Sequence, residues 1–336
     1  MPRRYLLFAE LAYAFEILRP LQAAARERGD QVAWFLNGPP ESALAADETC
    51  LRTVAEVGEF APDAVLVPGN EVPLRFPGLK VQVFHGFGIE KKGHFRIRGM
   101  FDLFCTFGPS TTGPFRELAA RHGWFKVVET GWPKVDPLLR EATTSMRQGA
   151  GKHILYAPTF SPSLTSVPAL AARIGDIVTR RDWQWTVKFH PKMSTELAAP
   201  LRTIQADNFR ISTDSTLLPL LRDADVMLTD TSSAAAEFML LDRPVVAYRN
   251  RKPGPHLVNV DAPEQLEPAL AGALEGNDPS REARRQYVQA MQPCRDGRAS
   301  ERVLDAVESL LANGREGLKR KPLSPLRRLK YRRQLR

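Results

Sequence analysis

The sequence predicts an α/β protein made of two doubly wound halves, each a parallel sheet with helices on both faces. Three observations carry that expectation. Short β-branched or apolar runs alternate with amphipathic stretches along most of the chain. Parallel strands need a crossover to return the chain, and a helix is the usual one. The rhythm then restarts after the polar, glycine-containing stretch 143–151, which splits the 336 residues into two comparable runs. Domains of roughly 100–200 residues fit that division.

In the first run, strands are expected over 5–8, 32–36, 64–67, 81–84, 103–107 and 126–129. Helices are expected over 15–28, 48–57, 111–122 and 136–146. The second run has strands over 153–156, 185–189, 226–229 and 245–247, and helices over 169–181, 194–204, 216–223, 232–240 and 263–274. Two further helices, 281–291 and 300–312, close the fold. The domains implied are 1–147, 148–315 and a tail, 316–336. In open parallel sheets, ligands bind beyond the carboxyl ends of the strands. With two halves, the expected site is the cleft between them.

Composition narrows the class. Three separated cysteines, Cys50, Cys105 and Cys294, form no C-x-x-C pair. They suggest neither a disulfide framework nor a zinc site, and a reducing compartment is the natural setting. The apolar run after Arg4 is interrupted by Glu10, so it reads as a first strand rather than a signal peptide. No apolar run approaches the ~18 residues of a membrane span.

The net charge is +9, and its location matters. Residues 317–336 hold nine Lys or Arg and no acid, which leaves 38 basic residues against 38 acidic ones elsewhere. Such a block marks a tail for anionic partners. Leu323, Leu326, Leu329, Tyr331 and Leu335 are interspersed with the charges. That favours an anionic membrane surface, with a plain solubilising end as the alternative. Nucleic acid is disfavoured, because no basic and aromatic cluster lies within the fold.

Three strand ends could carry chemistry. The strand over 226–229 runs into Thr229-Asp230-Thr231-Ser232-Ser233 and then a helix bearing Glu237. Hydroxyls and backbone N–H groups at such a turn suit a phosphate, and a carboxylate one turn on could take ribose hydroxyls. Asp, Ser and Thr are also ordinary helix caps. The strand over 185–189 ends in His190-Pro191, flanked by Lys188 and Lys192. Proline keeps the residue before it extended, and histidine among lysines suits phosphate better than a metal. A third strand ends in His85, followed by Gly86 and Gly88 and the loop residues Lys91, Lys92 and His94. His85 is the general-base candidate, because its reference pKa lies near neutrality. Either histidine could instead be a structural turn residue. The Lys91-Lys92 loop could steer an anionic acceptor. Smaller signals are Gly131-Trp132-Pro133-Lys134-Val135-Asp136, the strand end Tyr156-Ala157-Pro158-Thr159-Phe160, and Asp296-Gly297-Arg298. Asp136 could simply cap its own helix. No G-x-G-x-x-G, P-loop or G-x-S-x-G motif is present, which removes support from dehydrogenase, ATPase and hydrolase readings.

In this order and over roughly 80–305, these pieces resemble the CDP-glycerol glycerophosphotransferases of teichoic acid and capsule synthesis. The resemblance implies a GT-B type fold, two doubly wound Rossmann-like domains facing a central cleft. It implies transfer of a polyol phosphate, glycerol phosphate foremost, from a CDP-activated donor to a hydroxyl of a cell-envelope glycan or lipid-linked acceptor, with release of CMP. On that reading the catalytic residues are His85, the base that deprotonates the acceptor hydroxyl, and His190, which holds the donor pyrophosphate. Lys188, Thr159, Thr229, Asp230, Ser232, Ser233, Glu237 and Arg298 hold the donor. Gly86, Lys91, Lys92 and Asp136 lie on the acceptor side. No metal site and no cofactor beyond the donor is implied, and a role for a divalent cation is left open. The implied place is the cytoplasmic face of the plasma membrane, as a peripheral enzyme held by 317–336. The sequence departs from the family at Phe87, Thr231, Lys134 and Glu237. A nucleotide-sugar glycosyltransferase or a UDP-sugar 2-epimerase would share the fold.

Overall fold

The structure, a computed structural model, describes residues 2–87, 93–144, 152–314 and 317–322. The chain divides into two compact units. The first comprises Met1–Pro137 and Ala290–Arg336, and the second Leu138–Gln289.

The first unit contains β1 (Arg4–Ala9), α1 (Ala14–Glu27), β2 (Gln31–Leu36), β3 (Thr49–Leu51), α2 (Val54–Phe60) and β4 (Ala64–Val67). It continues with β5 (Leu79–Gln82), β6 (Leu103–Thr106), α3 (Pro109–His122) and β7 (Lys126–Glu129), and the chain crosses to the second unit within α4 (Asp136–Thr144). Its seven strands lie in the order β3-β2-β1-β4-β5-β6-β7, all parallel. The order reverses between β1 and β4. Every residue of β4 is buried, as a strand covered on both faces requires.

The second unit contains β8 (His153–Tyr156), α5 (Val167–Arg180), β9 (Gln184–Val187), α6 (Thr195–Arg202), β10 (Phe209–Ile211) and α7 (Leu218–Asp223). Then come β11 (Val226–Thr229), α8 (Ala234–Met239), β12 (Val245–Tyr248), β13 (Val258–Val260) and α9 (Leu266–Leu274). The chain leaves this unit within α10 (Arg281–Met291) and ends its helices with α11 (Ala299–Asn313). The strand order is β10-β9-β8-β11-β12-β13, again all parallel, and it reverses between β8 and β11. Helix α5 turns Val167, Leu170, Ala171, Ile174, Ile177 and Val178 onto this sheet, the stripe that a 3.6-residue period predicts. Burial of each large apolar side chain there contributes about 1.5–3 kcal/mol.

The strand–helix alternation stands, with local corrections. The expected helix over 48–57 begins only at Val54. Before it, Thr49–Leu51 pairs with β2 as an edge strand. Thr53 caps the helix, its Oγ1 accepting from the Glu56 amide at 3.1 Å. The strands β10 and β13 were also unanticipated, and each is a three-residue strand at a sheet margin. Helix α8 is shorter than the expected 232–240.

The partition differs from the sequence-based one in a physically explicable way. Residues 290–315, expected with the second half, group with the first unit. Asp136 accepts from the Ala299 and Ser300 amides at 2.8 and 2.7 Å and from Ser300 Oγ at 2.6 Å. It therefore satisfies buried N–H groups at the start of α11 that have no partner within the helix. Gly131, in the left-handed region at φ 80°, lets Ala299 approach to 3.2 Å of the position a Cβ would take. Gln292 Oε1 accepts from the Trp132 amide at 3.1 Å.

Part of the basic tail belongs to the first unit as well. The Lys319 amide donates to the Gly123 carbonyl at 2.8 Å. Lys321 Nζ donates to Asp102 Oδ2 at 2.6 Å and to the Met100 carbonyl at 2.8 Å. Asp102 is buried and also accepts from the Lys80 amide at 2.9 Å. Both contacts lie at the amino-terminal ends of β5, β6 and β7.

Candidate active site

In the first unit the candidate loops are those at the carboxyl ends of β1, β4 and β5. Phe84 sits in the left-handed region at φ 59°, which is costly for a non-glycine residue. An aromatic cluster holds it there. Its ring lies 5.4 Å from His94, 5.4 Å from Phe107 and 5.2 Å from Phe115. The bend turns the chain out of the strand direction, and Gly86 continues it at φ 155°.

His85, at this bend, places Nδ1 3.0 Å from the Pro68 carbonyl at the end of β4. A carbonyl only accepts, so Nδ1 carries the proton and Nε2 carries the lone pair. That is the tautomer a general base needs. Tyr13 lies alongside, its ring 5.5 Å from that of His85. Burial, and then the Glu10 carboxylate, raise the Tyr13 hydroxyl pKa above its ordinary value. No local pattern singles out Tyr13, because contact between the β1 and β5 loops depends on sheet order.

The other acceptor-side expectations fare differently. Lys91 and Lys92 lie outside the described residues. Asp136 is buried, 1% exposed, and its carboxylate is engaged by α11. Phe87 explains its own departure from the family pattern. It is buried against Phe107 and Trp132, at 5.0 and 4.8 Å, and so is a core residue. Lys134 pairs with Glu16 of α1 at 3.3 Å.

In the second unit the candidate residues gather at the β8/β11 reversal. Asp230 is fully buried. It accepts from the Thr159 amide at 3.0 and 3.1 Å, the Ser166 amide at 3.0 Å and Ser166 Oγ at 3.0 Å. Burial raises its pKa, against the lowering effect of those donors. Thr229 Oγ1 donates to the Ala157 carbonyl at 2.7 Å. The side chains of Thr229 and Asp230 thus stitch the loop after β8 to the turn after β11. Ser232 and Ser233 are more open, half-buried and exposed. Ser232 Oγ accepts from the Ala234 amide at 3.3 Å. Glu237 is buried within α8.

A further loop, missed from the sequence, docks on the same turn. Asn250 Nδ2 donates to the Asp230 carbonyl at 2.8 Å, and the Arg251 amide donates to Thr231 Oγ1 at 3.1 Å. The basic run from Arg249 to Lys252 was its one available signal.

His190, after β9, is exposed. Its Nδ1 accepts from the Lys192 amide at 3.1 Å. The neutral ring therefore carries its proton on Nε2 and presents a donor, the opposite tautomer to His85. Burial, then Lys192 and Lys188, lower its pKa. Lys188 Nζ donates to the Asp214 carbonyl. Arg298, expected with the donor groups, stands instead in the first unit at the start of α11, with Nε 3.9 Å from Glu301. Among the described residues, no group of three or more His, Cys, Asp or Glu side chains could hold a metal ion.

Two parallel, doubly wound units of this topology define the GT-B class of enzymes. Residues 118–309, more than half of the chain, match the model of the family described as CDP-Glycerol:Poly(glycerophosphate) glycerophosphotransferase. The chain belongs to that family. It is 26% identical over 129 residues to the teichoic acid glycerol-phosphate primase of Bacillus subtilis (strain 168), across 37% of this chain and 33% of that protein. The match thus spans about a third of that curated relative. Among solved structures, the wall teichoic acid polymerase TagF superposes with a TM-score of 0.66 at 15% identity, covering 93% of this chain and 90% of that one. An enzyme described as a putative UDP-N-acetylglucosamine 2-epimerase from Listeria monocytogenes also gives 0.66, at 14% identity over 94% of this chain and 98% of that one. At those identities the likeness is one of fold.

Proposed function

We propose that the chain transfers a polyol phosphate, glycerol phosphate foremost, from a CDP-activated donor to a hydroxyl of a cell-envelope glycan or lipid-linked acceptor, releasing CMP. The observation that carries this reading is the family match, which runs from α3 through every strand-end loop of the second unit into α11. TagF has been solved as a histidine variant soaked with CDPG, and histidine chemistry is what this chain offers too.

The steps follow from the tautomers. His85 Nε2 takes the proton of the acceptor hydroxyl. The resulting oxygen attacks the phosphorus next to the glycerol, and the bond from that phosphorus to the bridging oxygen of CMP breaks in line. CMP departs with the electron pair. His190 Nε2–H, Lys188 and Lys192 offset the charge gathering on the phosphates. Ser232, Ser233 and the backbone of their turn hold the pyrophosphate, and Glu237 holds the ribose. Asp230 acts on the loops rather than on the donor. The product would be a teichoic-acid-like or capsular polymer or its primer. The basic tail would keep the enzyme at the inner face of the plasma membrane. Among the described residues, no helix is long and apolar enough to cross one.

The test is binding of CDP-glycerol, CDP-ribitol, UDP-GlcNAc and CMP by calorimetry. Tight binding of the cytidine compounds that weakens in Glu237→Ala supports the reading and ranks the polyols. Selective binding of UDP-GlcNAc overturns it in favour of nucleotide-sugar chemistry.

A further inference from the structure

His190 stands on an exposed loop, yet its ring is held from two sides. The Phe160 ring stacks on it, centroids 4.4 Å apart and planes 29° from parallel. The Lys192 amide binds its Nδ1. The Lys192 ammonium lies over the same Phe160 ring, 5.8 Å from its centroid. Phe160 is fixed in turn, because the amide of its neighbour Thr159 is held by the buried Asp230 carboxylate.

We propose that Phe160 is a positioning residue, an aromatic platform that sets the His190 imidazole and the Lys192 ammonium side by side toward one anion, the diphosphate of a nucleotide donor. The proposal rests on the reading of the second unit as the donor-binding half. Its geometry is specific. A ring face attracts a cation through its quadrupole and stacks against a flat imidazole, so one phenylalanine can seat both groups where an aliphatic side chain could seat neither as well. Stacking occupies the ring faces and leaves the imidazole edge, with Nε2–H, to meet the ligand. The line of support runs from Asp230 through Thr159 and Phe160 to His190, so a fully buried carboxylate governs an exposed histidine. Burial is the first cause of the lowered His190 pKa, ahead of Lys192 and Lys188, and the stacked ring is part of what covers the imidazole.

The experiment pairs two readouts on the full chain, wild type against Phe160→Ala, Phe160→Leu and Phe160→Trp. One is the NMR titration of the His190 ring. The other is the dissociation constant for CDP-glycerol beside that for CMP. Loss of a stacked, charge-orienting contact should weaken CDP-glycerol binding about tenfold, with a smaller effect on CMP, which lacks the second phosphate. In Phe160→Ala the His190 pKa should rise toward its ordinary value. Phe160→Trp should restore both readouts, and Phe160→Leu, which keeps apolar cover without a ring face, should restore neither fully. Unchanged titration and unchanged CDP-glycerol affinity in Phe160→Ala overturn the proposal, as does full rescue by leucine. If Phe160→Ala fails to fold, the comparison of leucine with tryptophan decides. If the wild type does not bind CDP-glycerol, the donor reading has failed, and the His190 titration still judges the platform.

Discussion

His85 and His190 are held in opposite tautomers by their partners, one donating through Nδ1 to the Pro68 carbonyl and the other accepting at Nδ1 from the Lys192 amide. That difference agrees with the proposed roles of His85 as base and His190 as donor. His85→Ala should lower turnover by about 10²–10⁴-fold, the usual worth of a general base, while the calorimetric affinity for CDP-glycerol stays near wild type. Turnover at the wild-type rate would remove His85 from the chemistry. Asp230 makes a different prediction. Its carboxylate collects two backbone amides and one hydroxyl, all donors. In Asp230→Asn the new amide nitrogen must face one of them. The expected loss is about 1–3 kcal/mol of stability, read as a lower urea midpoint, together with weaker CDP-glycerol binding. A variant as stable as wild type would show that the loop after β8 is held by other means.

Helix α11 joins the first unit through several contacts, among them Asp136 at its start and the Arg28 pairs with Asp305 and Glu308. Asp136 offers its two oxygens to the first amides of α11, 163 and 164 residues away in sequence. Asp136→Ala should cost about 1–3 kcal/mol, as a lost helix cap that leaves buried amides unpaired. Chemical denaturation would measure it, and CDP-glycerol binding should be unaffected. A large loss of binding with stability intact would restore Asp136 to the site. Elements of this kind mark the limit of what the chain discloses by itself. Central strands such as 64–67 and 226–229 and the stripe of α5 were legible because burial writes a period into the sequence. The strands Thr49–Leu51, Phe209–Ile211 and Val258–Val260 were not, because three residues at a sheet margin carry too little pattern. His85, His190 and the Thr229–Ser233 turn could be nominated from the sequence because strand ends in parallel sheets are where ligands bind. Tyr13, Asn250 and the contact of Phe160 with His190 were not, because they depend on strand order. Asp136 was noticed for its chemistry, but nothing local to it announces a cap for a distant helix.

At the scale of the whole molecule the charge is divided, with a balanced body and a tail carrying the excess. The root of that tail is tied to the first unit by Lys321, which shares the buried Asp102 with the Lys80 strand end. Lys80 is itself buried, donating to the Phe76 and Gly78 carbonyls. Burial first, then Lys321, lower its pKa from 10.5 to about 8, against the pull of Asp102. The folded state then binds fewer protons than the unfolded state between those values, so Lys80 makes stability rise with pH across that window. Lys80→Met should remove that rise, which denaturation at about pH 7.5 and about pH 10 would detect. The tie also dictates where the tail should be cut to test a membrane role. Removing 317–336 would break the Lys321–Asp102 pair and confound anchoring with stability. Removing 323–336 keeps the pair and discards six of the nine cations. Each cation near an anionic surface contributes about 1 kcal/mol. Sedimentation with phosphatidylglycerol vesicles should therefore bring down the full chain at ~0.1 M salt and release it at ~1 M, where the screening length falls to ~3 Å. The chain ending at Pro322 should stay in the supernatant while melting as the full chain does. Equal sedimentation of both would place membrane contact elsewhere on the protein and leave the tail without that role.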